Sequence, residues 1–68
     1  SNAASLTARE LLEGLLEDNC ISQREFGREM DIPQSVISDF LSGKRDLSKA
    51  NALKFSKRFG LPVEKFLQ

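Results

Sequence analysis

Apolar residues recur along this chain at three- and four-residue intervals, and no stretch alternates with a period of two, so the pattern predicts helices throughout. The first predicted helix covers roughly residues 7–19. It turns Leu12, Leu15 and Leu16 inward, with Leu11 nearby, and keeps its acids on the other side; Gly14 weakens it. A second begins at Ser22, where Ser22 and Glu25 have the spacing of a capping box, and carries Phe26 and Met30 four apart on one face. Met30-Asp31-Ile32 breaks it, since Asp tolerates the left-handed backbone of a sharp turn, though less easily than Gly. The third runs over about 33–42. Pro33 suits a first helical position, where its missing N–H costs nothing, and Gly43 stops the helix. Its inward stripe is Ile37 and Leu41, with Val36 or Phe40 beside them. A fourth, capped by Ser48, covers about 48–59 and spaces Ala52, Phe55 and Phe59 three and four apart; a short fifth follows the Gly60-Leu61 turn, over 62–67. The expected architecture is all-α: a compact five-helix bundle with Phe26, Ile37, Leu41, Phe55, Phe59 and Phe66 in its core.

The polar positions of the third helix carry the chemistry. Gln34, Ser35, Ser38 and Asp39 lie around the face its apolar anchors leave free. Gln34 falls in the first turn, where a helix lying in a DNA major groove touches base edges. Its amide both donates and accepts, so it can grip adenine N6 and N7 together, while serine hydroxyls serve bases or phosphates. Asp39 either accepts from a cytosine amino group or repels the DNA. Lys44, Arg45 and Lys49 follow directly as candidate phosphate contacts. Ser22, Gln23 and Arg24, with the free N–H groups at the start of the second helix, offer another.

These residues carry a family resemblance. SQREFGREMDIPQSVISDFLSGKR resembles the helix-turn-helix of the Cro/phage-repressor (XRE) family of transcription regulators, and DLSKANALKFSKRFGLPVEKFL is similar to the tail of HigA-type antitoxins. The resemblance spans about residues 6–67. It implies a lambda-repressor-like bundle with the helix-turn-helix at helices 2 and 3, Gln23 on phosphate, Gln34, Ser35 and Ser38 at base edges or nearby phosphates, and Lys44 and Arg45 on the DNA backbone. The departures are specific. Gly27 stands where the family usually has Ala, lowering helix propensity by about 1 kcal/mol. Asp31 replaces the usual turn Gly, and Cys20 a Gly often found between the first two helices. Leu16 occupies the place of an Arg that in many members pairs with the acid at Glu25, so that buried pair is absent here.

Composition narrows the choice of function. Sixty-eight residues make one small domain, which buries only about 60% of its unfolded surface. Ser1-Asn2-Ala3 reads as a scar of tag removal, leaving 4–68 as the expected DNA-binding domain and leaving open whether the chain is a fragment of a longer protein. No apolar run approaches the roughly 20 residues of a membrane span. One Cys, expected to be partly buried, allows no internal disulfide, which suits the cytoplasm. There is no His, the commonest general base, and one Cys without His builds no structural zinc site, so no enzyme, metal or cofactor is expected. Net charge is zero, but residues 1–31 hold seven acids against three bases and residues 32–68 seven bases against three acids. The chain is an electric dipole with its positive half around the third helix, and affinity for DNA is then expected from a few placed contacts, doubled by dimerisation on a palindromic operator. Lys54, Lys57 and Arg58 are assigned to solubility. Two functions remain: a sequence-specific repressor, including the autoregulatory DNA-binding part of an antitoxin, or a module of the same fold that binds a protein such as a toxin without DNA. An outward apolar patch at Phe40, Leu47 or Leu67 would favour the second, although it would equally suit a dimer interface.

Overall fold

The computed structural model of the chain describes residues 6–68; the proposed tag remnant lies outside them. Four α-helices follow in order, α1 (Ala8–Asp18), α2 (Gln23–Met30), α3 (Gln34–Leu41) and α4 (Lys49–Phe59), and a 3-10 turn at Val63–Phe66 closes the chain. The expected fifth helix is this 3-10 turn. Its bonds run from Lys65 N–H to the Pro62 carbonyl and from Leu67 N–H to the Glu64 carbonyl, an i to i+3 pattern; the segment is too short to propagate an α-helix.

Local chemistry sets each start and stop. Thr7 and Ser22 both cap by reciprocal boxes with Glu10 and Glu25, and Ser48 accepts from Asn51 N–H. The box at Thr7 was not foreseen, although Thr7 and Glu10 have the same spacing as Ser22 and Glu25. Pro33 sits at the cap of α3 rather than inside it, with ψ 138, and supplies no side-chain cap. Asp31 ends α2 with φ 57, and Cys20 adopts φ 55 between α1 and α2, so both stand-ins for glycine take the left-handed conformation. Cys20 is exposed, not partly buried.

The core gathers Ala8, Leu12 and Leu16 of α1, Phe26 of α2, Ile32 of the turn, Ile37 and Phe40 of α3, Ala52 and Phe55 of α4, and Phe66. A chain of phenyl rings runs through it. Phe26 lies 5.1 Å from Phe55 and 5.7 Å from Phe59, and Phe55 meets Phe66 edge-on at 5.8 Å. Leu41 and Phe59, expected in the core, are only half-buried and flank it. In α3 the buried pair is Ile37 and Phe40, three apart, because α1 packs over the end of that helix and covers Phe40. Lys54 and Arg58 are structural as well as soluble. Lys54 Nζ donates to the Met30 carbonyl at the end of α2 (2.8 Å), and Arg58 pairs with Glu29 while lying over Phe59. They bolt α4 to α2, which packs on α3.

Candidate functional site

α2 and α3 are held against each other by a close backbone approach. Ile32 N–H donates to the Gly27 carbonyl at 2.8 Å, and a Cβ at position 27 would lie 2.7 Å from the Ile32 carbonyl oxygen. Gly27 is therefore required by the turn as built here, which has closed further onto α2 than a methyl group permits. The outcome is that the first turn of α3 projects beside α2 with Gln34 and Ser35 both exposed.

Of the residues assigned to base edges, Gln34 and Ser35 stand free in solvent, whereas Ser38 and Asp39 are half-buried. Ser38 Oγ donates to Gln23 Oε1 at 2.5 Å. This ties the middle of α3 to the start of α2 and turns the Gln23 amide so that its NH2, a pure donor, has no partner among the described residues. Asp39 faces the loop after the helix: its Oδ2 is 3.6 Å from Arg45 Nη2.

The phosphate candidates fall into two groups. At the start of α2, the Ser22 hydroxyl accepts from Glu25 N–H while the Glu25 carboxylate accepts from Ser22 N–H, both at 3.0 Å. The Ser22 N–H holds the Glu25 carboxyl below its ordinary value, with help from the Ser22 hydroxyl and, more weakly, Arg28, against a small desolvation cost. Arg24 is exposed and forms no ion pair among the described residues. The second group follows α3. Gly43, at φ 84, sends its N–H to the Phe40 carbonyl (3.1 Å), and Lys44 N–H reaches the Asp39 carbonyl (2.8 Å), a Schellman ending. Lys44, Arg45 and Lys49 are all exposed beyond it, Lys49 in the first turn of α4.

Sequence reasoning missed two cations. Arg28 lies one turn after Arg24, and both line an open groove of about 390 Å³ with Gly27, Asp31, Ile32, Pro33 and Gln34. The i, i+4 spacing of the two arginines was the available signal. Arg9, on α1, reaches across to the end of α3, where its Nε donates to the Phe40 carbonyl at 2.7 Å. Nothing in the local sequence signals that contact.

The arrangement presents hydrogen-bonding side chains at the tip of one helix, with cations on both sides, no acid in the first turn of α3, and Asp31 in the groove beside it. Such a surface has the chemistry to meet a polyanion whose interior edges carry donors and acceptors. Among the described residues, no helix is long and apolar enough to cross a membrane. A family model described as helix-turn-helix matches residues 15–66. Neither the curated proteins nor the solved structures yield a match.

Proposed function

The chain belongs to the helix-turn-helix family, of the XRE type, whose members are DNA-binding regulators, and from that premise we propose that it is a sequence-specific repressor acting in the cytoplasm. In this reading 4–68 is the DNA-binding domain, and α3 enters the major groove with Gln34 on an adenine and Ser35 beside it. Ser38 and Asp39 lie deeper along the helix. Ser22, Gln23 and Arg24 hold one phosphate strand, and Lys44, Arg45 and Lys49 hold the other side. The observation that carries the proposal is the exposed Gln34 at the tip of α3, next to Arg24 and Arg28 and backed by a buried Ile37.

The tail that resembles HigA-type antitoxins supports a finer version, autoregulation beside a toxin gene; a small toxin frame adjoining this one would favour it, and a neighbourhood without one would leave a plain repressor. The protein-binding alternative loses ground. Phe40 is buried and Leu47 half-buried, so of the three residues that would have formed an outward patch only Leu67 is well exposed.

Gln34→Ala tests the proposal. Loss of a bidentate base contact costs about 1–3 kcal/mol per half-site and relaxes preference at one base pair, while folding stays nearly unchanged because the residue is exposed and Ala is a good helix former. Titration against duplexes varied at each base pair, with thermal melting alongside, checks both. Sharp destabilisation with intact specificity would make Gln34 a structural residue and α3 the wrong reading face.

A further inference from the structure

The longest-range side-chain hydrogen bonds among the described residues belong to Arg9, which sits on α1, far in sequence from every residue assigned to DNA. Its Nε donates to the Phe40 carbonyl (2.7 Å), its Nη2 to the Arg45 carbonyl (3.0 Å) and, at 3.4 Å, to Asp46 Oδ1, and the guanidinium lies 5.1 Å from the centre of the Phe40 ring. Its Nε would be 3.9 Å from a Cβ at Gly43, so the side chain lies directly on the left-handed turn. These contacts meet a need. The last turn of α3 holds no basic residue and does hold Asp39, an acid at the negative end of the helix dipole. Arg9 supplies that missing cation from another helix and fixes the exit of the chain at the same time.

The segment it fixes is Gly43-Lys44-Arg45. Arg45 is held at both ends, its carbonyl by Arg9 and its guanidinium by Asp39, and the Lys44 N–H is bonded to the Asp39 carbonyl. Arg9 itself is half-buried, and its Nε and Nη2 are engaged within the chain. We propose that Arg9 is a positioning residue for phosphate binding: it presets Arg45 for the DNA backbone without contacting the nucleic acid. Holding the loop in its bound shape before DNA arrives lowers the ordering cost of each phosphate contact. The inference rests on the DNA-binding reading above.

The test uses the whole chain and a mixed-sequence duplex of about 30 base pairs, because phosphate contacts register in non-specific binding through the salt slope. Affinity is measured against salt concentration for the wild type, Arg9→Met, Arg9→Lys, Arg45→Ala and the double variant Arg9→Met/Arg45→Ala, each below its melting temperature. Arg9→Met is expected to reduce the slope by about 1, as Arg45→Ala does, and to add little in the Arg45→Ala background, the non-additivity of residues acting on one contact. Arg9→Lys, which keeps the charge but offers no fork to two carbonyls, falls between. If Arg9→Met does not fold, Arg9→Lys carries the same comparison. A lower melting temperature with an unchanged salt slope in the folded variants would overturn the proposal and leave Arg9 a stability residue. Wild-type chain that shows no salt-dependent duplex binding would instead overturn the DNA-binding reading, and the role of Arg9 with it.

Discussion

Gln23 and Ser38 show what a single residue's environment adds to its identity. From the sequence both were donors pointing outward; in the fold Ser38 is half-buried and donates to Gln23, so one of the two assigned contacts orients the other. A hydrogen bond between residues fifteen apart has no local signature, whereas capping does, and Ser22 with Glu25 formed the reciprocal box its spacing predicted. That box is titratable. The Ser22 N–H bonds the ionised Glu25 carboxylate, and with the nearby Ser22 hydroxyl holds its pKa below the ordinary 4.5. A carboxyl depressed in the folded state contributes stability that is present above the unfolded value and is lost as pH falls through the folded value. Glu25→Gln keeps an acceptor for the Ser22 N–H but removes the titration. The gap in stability between wild type and Glu25→Gln should therefore narrow as pH drops from about 7 to about 3, read by denaturant melts across the series. A gap independent of pH would mean that the carboxylate charge contributes nothing to the cap.

Elements were legible wherever the signal is periodic or terminal. Each of the four helices lies within a residue or so of its expected bounds, and Gly43 and Gly60 both take positive φ past α3 and α4. Less legible was rotation about a helix axis: α3 buries Phe40 where Leu41 was expected, because both lie near the apolar stripe and only the position of α1 decides between them. The approach of α2 to α3 was legible only as a demand for a small residue. Its closeness turns that demand into a requirement for glycine, and Gly27 is where the resemblance leads one to expect Ala. Gly27→Ala gains about 1 kcal/mol of helix propensity, but its Cβ would meet a backbone carbonyl at 2.7 Å, an atom that moves only if the whole turn moves. Overpacking of this kind costs about 1–3 kcal/mol. The expected net result is a loss of about 1 kcal/mol, with α3 displaced and base preference blurred. Denaturant unfolding checks the first, and a titration against varied duplexes the second. A variant more stable than the parent would show that the turn opens without cost.

At the scale of the whole molecule, charge and shape argue for assembly. A neutral chain cannot rely on bulk attraction to DNA, and its cations concentrate in the half that holds α3 and α4. One eight-residue α3 reaches only a few base pairs. Two copies on a palindromic site, with half-sites about 10 base pairs apart, would double both the base contacts and the phosphate contacts. The surface expected to pair is the part the core leaves uncovered. Leu53 of α4, Leu67 and Leu6 are each close to half exposed, at 45%, 50% and 49%, and a bond from Ala8 N–H to the Gln68 carbonyl (3.0 Å) draws the segments bearing Leu6 and Leu67 to the same end of the molecule. The C-terminal half is therefore the expected seam of a two-fold dimer, formed weakly in solution and stabilised on DNA. Leu67→Glu places like charges across such a seam. It should abolish cooperative binding to a duplex with two half-sites while leaving affinity for a single half-site unchanged, since Leu67 lies in neither group of DNA candidates. The comparison of one-site and two-site duplexes, wild type against variant, decides it: a wild-type monomer that occupies an isolated half-site at full affinity needs no partner, and the dimer would be wrong.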